Sequence, residues 1–170
     1  VAVKPRLAAD GPGAARFQRE IGALRALRVP GTVRLHSAGQ AGPIAWFSMD
    51  RVEGQDLRER AAAHADPAAR GALVARLATT LLETLAGVHQ RGFVHRDLKP
   101  GNVLVDGTDR VWLLDFGVAR GWRSPTEALT TPGTVVGTLP YMAPEQVTGQ
   151  VTGPEVDLFA AGLLLHEAIA

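Results

Sequence analysis

Cysteine is absent from the 170 residues, which excludes disulfides, thiolate zinc sites, iron–sulfur clusters and cysteine nucleophiles. Long apolar runs are absent too: the longest, Leu158–Leu165, falls far short of the roughly 18 residues a membrane span needs. No excess of one charge exists. The 18 Lys and Arg stand against 17 Asp and Glu, a net +1, which argues against a nucleic-acid footprint or a polybasic membrane patch. No charged n-region followed by an apolar h-region opens the chain. It starts on Val1 and stops at Ala170 inside an apolar periodic run without a helix C-cap signal, so it is expected to be an internal piece of a longer protein. The length suits one domain with a real core.

Scarcity within residue types says more. Lys4 and Lys99 are the only lysines beside 16 arginines, and Asn102 is the only asparagine. With 27 alanines, this is the composition of a GC-rich coding sequence, as in many bacteria. In such a chain a surviving lysine or asparagine is expected to do something that arginine or aspartate cannot.

Val1–Lys4 reads as the end of a strand and Pro5–Gly13 as a loop. Gly11-x-Gly13 in that loop is a poor echo of a dinucleotide fingerprint, because Arg16 stands where the third glycine belongs. Ala14–Leu27 is predicted helical, with Phe17, Ile21, Leu24 and Leu27 on one stripe. Pro30-Gly31 breaks it, and strands are predicted at Thr32–Leu35 and Ile44–Met49. Asp56 suits the N-cap of a short helix to about His64. A longer helix is predicted from Ala68 to Arg91, with Leu73, Leu77, Leu81 and Leu85 four apart and Gly92 closing it. Short strands follow at Asn102–Val105 and Val111–Leu114, around an Asp106-Gly107 turn. The Gly-, Pro- and Thr-rich stretch 121–153 is long for a connection, which marks a functional or regulated loop, and a last helix starts near Pro154.

The chemistry concentrates in His95-Arg96-Asp97-Leu98-Lys99-Pro100-Gly101-Asn102. Asp97 and Asn102, five apart in a loop between strands, place an acceptor carboxylate near a metal-ligating amide. Thirteen residues after Asn102, Asp115-Phe116-Gly117 follows an apolar strand, where a carboxylate can meet Mg²⁺ with an aromatic ring packed beneath it. Further on stand Gly137-Thr138 and Tyr141-Met142-Ala143-Pro144-Glu145-Gln146. Taken singly, Asp97 is an ordinary turn residue, Lys4 a solvated strand-end charge and Asn102 a turn asparagine. Taken together, the only two lysines and the only asparagine all fall where an ammonium or a neutral amide is wanted.

With VAVK, HRDLKPGN, DFG and APE in order and at compatible spacing, the chain resembles the eukaryotic-type protein kinases, in the style of their bacterial serine/threonine members. The resemblance covers essentially the whole chain. It implies an α+β fold of two lobes, a small β-rich part with one regulatory helix (1–53, through the hinge) and a larger helical part (54–170), with ATP between them. It implies that Lys4 holds the α- and β-phosphates and pairs with Glu20, that Asp97 accepts or orients the substrate hydroxyl proton, and that Lys99 neutralises the transferring phosphate. Asn102 and Asp115 would hold Mg²⁺. Ala2 and Leu104 would sandwich the adenine with Met49 behind it, the Asp50-Arg51-Val52 backbone would bond its edge, and Asp56 could reach the ribose. Arg96 would bind a phosphorylated loop residue, for which Thr130, Thr131 and Thr134 are the candidates, while Thr138 would bond within the catalytic site. Structural roles are implied for Glu145, for Asp157 as a brace of the catalytic loop, and for His95, Phe116, Leu24 and Leu35 as a packed column. His36, His64, His89 and His166 lack metal-ligand spacing and are expected to be ordinary surface or core residues.

The expected activity is Mg²⁺- and ATP-dependent phosphorylation of protein Ser/Thr hydroxyls. Partners would be protein substrates, with self-association for autophosphorylation; neither nucleic acid nor a membrane segment is expected in the chain. The expected location is the cytoplasm, with an inner-membrane tether left to segments outside the chain. Two other readings stand beside it: a kinase-like scaffold without catalysis, which loss of Lys4, Asp97 or Asp115 would mark, and a small-molecule phosphotransferase, which would lack the Thr-rich loop ending in Ala-Pro-Glu. The family's Gly-rich loop would precede Val1, and its last helices would follow Ala170.

Overall fold

The computed structural model describes residues 1–7, 12–116, 120–121, 139–150 and 152–170. Strand β1 (Ala2–Leu7), helix α1 (Pro12–Ala26) and the hairpin β2 (Leu35–Ala41) and β3 (Ile44–Met49) form the first region, an antiparallel sheet ordered β1-β3-β2 with α1 against it. Phe17, Ile21 and Leu24 recur at helical spacing and are buried, and the Phe17 ring meets Phe47 of β3 at 5.2 Å between centroids. Glu20 lies on the same face, 3% exposed. Lys4 is opposite Phe47 in the β1–β3 register, so the strand points it toward that helix.

Two strands differ from expectation. β1 runs through Pro5 to Leu7 instead of ending at Lys4. Among the described strands it pairs with β3 alone, and an edge strand tolerates a residue without an N–H. The strand expected at Thr32–Leu35 begins only at Leu35. Thr32 instead makes one isolated bridge to Leu113, and its hydroxyl donates to the Val29 carbonyl at 2.8 Å. The true strand, Leu-His-Ser-Ala-Gly-Gln-Ala, has little apolar alternation to announce it. At its Gly39 the Trp46 ring lies 3.0 Å from where a β-carbon would sit, so a larger residue would press on that ring.

The second region is mostly helical: β4 (Gly54–Asp56), α2 (Leu57–Ala62), α3 (Pro67–Gln90), β5 (Phe93–Val94), β6 (Val103–Asp106), β7 (Val111–Leu113), β8 (Arg120–Gly121), α4 (Pro144–Val147) and α5 (Glu155–Ile169). Asp56 caps α2, as the sequence suggests, and closes a capping box with Glu59. Asp66 caps α3 by accepting from Ala68 and Ala69, with Pro67 in the first turn. Gly92, at φ 80°, ends it. By length and apolar composition α3 could cross a membrane, but Leu73, Leu77, Leu81 and Leu85 are at most 1% exposed against the rest of the domain, chiefly α2 and α5. These leucines belong to one continuous core that reaches from Phe17 and Phe47 to Leu164 and Ala168. β4, β6 and β7 make a small antiparallel sheet, and β5 pairs with β8. The stretch 121–153 is not all connection, since α4 and a 3₁₀ turn at Leu139–Tyr141 lie within it.

The β6–β7 turn is fastened twice. Asp106 accepts from the Thr108 amide (2.8 Å), the Thr108 hydroxyl (2.6 Å), the Arg110 amide (3.1 Å) and the Trp112 indole (2.8 Å). Burial opposes its ionisation, but these bonds outweigh it and hold the carboxyl well below the usual range. Asp109 accepts from Arg60 of α2 (2.8 Å) and Arg76 of α3 (3.4 Å).

Candidate active site

Where the two regions meet, Lys4 Nζ donates to Glu20 Oε1 at 2.7 Å and Oε2 at 2.9 Å, and to Asp115 Oδ1 at 3.1 Å. The ammonium also lies 5.9 Å from the Phe47 ring centroid. Burial alone would lower the Lys4 pKa. The bond and charge of Glu20 and the charge of Asp115 outweigh that and raise it, so the ammonium is firmly charged. Burial pushes the Glu20 carboxyl up, and Asp115 adds to this against the pull of Lys4.

The loop before β6 holds the second cluster. Asp97 Oδ2 accepts from Lys99 Nζ at 2.8 Å and from Asn102 Nδ2 at 3.2 Å, and the same amide nitrogen reaches the Asp97 carbonyl at 2.8 Å. With Nδ2 so used, Oδ1 is the Asn102 side chain's remaining ligand atom. The Asn102 carbonyl accepts from the Leu114 amide at 2.9 Å, which ties this loop to the strand leading into Asp115.

Beneath these groups lies a column. His95 is fully buried, 4.8 Å from the Phe116 ring, and its Nε2 meets the Leu114 carbonyl at 2.8 Å. A carbonyl only accepts, so Nε2 carries the proton, and Nδ1 is free to take the Asp97 amide at 3.3 Å. Leu24 and Phe116 are in the same core, with Leu35 packed against it. Asp157, 1% exposed at the start of α5, accepts from the His95 amide (2.8 Å), the Arg96 amide (2.8 Å) and His89 Nε2 (2.7 Å). Arg96 and Asp115, at φ 65° and 58°, occupy the left-handed region that non-glycine residues rarely enter. Such strain persists where the surroundings over-determine it.

The positions assigned to adenine include two cross-strand pairs: Ala2 faces Met49 across β1–β3, and Asp56 faces Leu104 across β4–β6. Val52 is half-buried, packed on the core. The Asp50 carboxylate is committed to β2 and the residue before it, accepting from the Arg34 amide and His36 Nε2 at 2.9 Å each. Burial opposes its ionisation, but Arg34 and His36 lower its pKa overall. One oxygen of Asp56 accepts from Glu59 as the N-cap of α2. Arg96 Nη2 donates to the Thr152 carbonyl at 3.0 Å. Glu145 sits on α4, where its carbonyl accepts from Gln150. Thr130, Thr131, Thr134 and Thr138 lie outside the described residues. The sequence did not single out His89 as a brace on Asp157, nor any role for Gln146, which donates to the Arg96 carbonyl at 3.1 Å.

Asn102 and Asp115 offer hard oxygen donors, and no cluster of three or more His, Asp or Glu able to hold a metal exists among the described residues. That donor set fits Mg²⁺, which binds through one or two protein ligands and takes the rest from substrate phosphates and water.

The protein kinase domain family matches residues 2–170, and the chain belongs to that family. Its members use ATP and Mg²⁺ in general. The chain is 32% identical over 158 residues to a probable serine/threonine-protein kinase of Corynebacterium efficiens, covering 91% of this chain and 24% of that protein. It is 32% identical over 171 residues to the serine/threonine-protein kinase PknB of Mycolicibacterium smegmatis, covering 96% and 26%. With PknF of Mycobacterium tuberculosis it shares 35% over 158 residues, covering 91% and 33%. The chain thus spans a quarter to a third of the length of these relatives.

Proposed function

We propose that the protein transfers the γ-phosphate of ATP to Ser/Thr hydroxyls of proteins. The observation that carries this reading is the single ammonium of Lys4 bonded at once to Glu20 and Asp115, while Asp97 is held by Lys99 and Asn102 nearby along the chain. Phosphoryl transfer asks for positioning and charge neutralisation more than for covalent help. Lys4 supplies a point charge for the α- and β-phosphates, and Glu20 keeps it there. Asp97 orients the attacking hydroxyl and takes its proton. Lys99, reaching the same carboxylate, neutralises the moving phosphate. Mg²⁺, held by Asn102 and Asp115, would supply charge compensation on the phosphate oxygens. The choice of Ser/Thr rests on Lys99 two residues after Asp97, on Gly137-Thr138 before Tyr141, and on the relatives' names. The three residues a scaffold would lose are all present, which speaks against that reading.

Regulation by phosphorylation of Thr130, Thr131 or Thr134 belongs to the same reading, with Arg96 as the receiving cation. Its guanidinium, which donates to the Thr152 carbonyl through Nη2, is a planar fork that matches the geometry of a phosphate. Protein substrates and a second copy for autophosphorylation are the proposed partners, and the cytoplasm the proposed location. The test is full-length protein with labelled ATP, Mg²⁺ and a protein acceptor, followed by phosphoamino-acid analysis. Phosphoserine or phosphothreonine that disappears in Asp97→Asn is expected; label passing only to a small-molecule acceptor would refute it.

A further inference from the structure

The peptide group between Arg96 and Asp97 carries the proposed base, and both of its polar atoms are held. Its N–H donates to His95 Nδ1 at 3.3 Å, and its carbonyl accepts from Gln146 Nε2 at 3.1 Å. Gln146 lies on α4, in the Ala143-Pro144-Glu145-Gln146 segment, and is 8% exposed. Its Oε1 meanwhile accepts from the Ala143 amide at 3.0 Å. That second bond is ordinary helix-start chemistry, an N3 side chain reaching back to the N-cap amide. The first is not. It spans 50 residues of sequence to reach the carbonyl of a residue at φ 65°.

We propose that Gln146 is a positioning residue for Asp97, tying the segment that ends in Ala-Pro-Glu to the loop that bears the base. Rotation of the Arg96–Asp97 peptide is the motion a left-handed residue most readily makes toward a commoner backbone conformation, and it would swing the Asp97 carboxylate. The N–H of Arg96 is fixed by Asp157 and the N–H of Asp97 by His95, so the Arg96 carbonyl is the remaining handle. Glutamine suits this buried place because its amide donates to one backbone group and accepts from another without charge. Glutamate can accept but, when ionised, cannot donate. Methionine can do neither. The seating of α4 thereby sets the orientation of the base.

The inference rests on the proposed kinase function, and the experiment separates the two. Full-length Gln146→Glu and Gln146→Met proteins are compared with wild type for kcat, KM for ATP, thermal midpoint and pH–rate profile. Misplacing a reacting group slows the chemical step, so kcat should fall about 10-fold or more in both, with KM for ATP within about 3-fold of wild type. The ratio of Gln146→Glu to wild-type kcat should then rise as pH falls, because a protonated carboxyl regains a donor for the Arg96 carbonyl; Gln146→Met should show no such recovery. Wild-type kcat in Gln146→Glu, a loss expressed in KM for ATP, or a deficit equal at every pH would overturn the inference. So would failure of both variants to fold, which would make Gln146 purely structural. A wild-type protein that transfers no phosphate would defeat the proposed function, and this inference with it.

Discussion

Asp157→Asn tests how much of the structure hangs on one buried carboxylate. The side chain is 1% exposed and accepts three hydrogen bonds, two of them from consecutive backbone amides, His95 and Arg96. The amide keeps the shape but has one acceptor oxygen. Oriented one way, its NH₂ faces the Arg96 N–H; flipped, it faces the His95 N–H. Either way a buried donor meets a donor. An unsatisfied buried N–H costs about 1–3 kcal/mol, and losing the charge on the surviving bonds adds roughly another 1 kcal/mol, for a total of about 2–4 kcal/mol. In a domain of this size each kcal/mol lowers the midpoint by about 2–4 °C, so the expected fall is about 4–16 °C. Calorimetry or circular dichroism with a Tm series reads it directly. Because Asp97 follows Arg96, kcat should fall as well. A midpoint within about 2 °C of wild type, with transfer unchanged, would refute the assignment of Asp157 as the brace.

Other outcomes follow from the same geometry. In the full-length protein, Lys4→Ala, Asp97→Asn and Asp115→Asn should each lower kcat/KM by about 10²-fold or more, and Lys4→Arg should fail too because a planar fork cannot replace a point charge between two carboxylates. Steady-state kinetics on a protein substrate checks this. Leu81→Ala, at a fully buried position of α3, should cost about 2–5 kcal/mol in denaturant unfolding. The lowered pKa of Asp106 means that its ionised form stabilises the fold above its ordinary value of 3.8, a contribution lost as pH falls through the folded value; Asp106→Asn should therefore flatten the fall in Tm below about pH 4. Mass spectrometry after incubation with Mg-ATP should find phosphate on Thr130, Thr131 or Thr134, and a triple alanine variant with full activity would rule out the switch.

What the sequence discloses depends on how far a residue's partners lie from it along the chain. The leucines of α3 repeat every four residues, so the helix and its buried face are legible locally. Asp97, Lys99 and Asn102 find one another within five residues, and their types already suggest the chemistry. The Lys4–Glu20 pair could be placed only through the family resemblance, since the intervening loop carries no signal of its own. β2 stayed hidden because small and polar residues give it no alternation. His89 and Gln146 were illegible for a different reason. Their partners lie 68 and 50 residues away, and a single polar side chain has no period. The threonines proposed for regulation lie outside the described residues.

The β6–β7 ladder has a consequence for the groups proposed to hold Mg²⁺. Val103 pairs with Leu113, so Asn102 and Leu114 stand at the same end of two neighbouring strands, joined by the Asn102 carbonyl and Leu114 amide. The separation of Asn102 from Leu114, the residue before Asp115, is thereby set by the spacing of a β-ladder, about 4.8 Å between strands. At the far end, Asp109 bolts the turn to two helices, like the clamped end of a cantilever. Such a gauge is insensitive to the turn's composition but unforgiving of register. One residue inserted between Val111 and Leu114 would put Leu114 where Asp115 stands and set the Asp115 carboxylate into the buried place of Phe116.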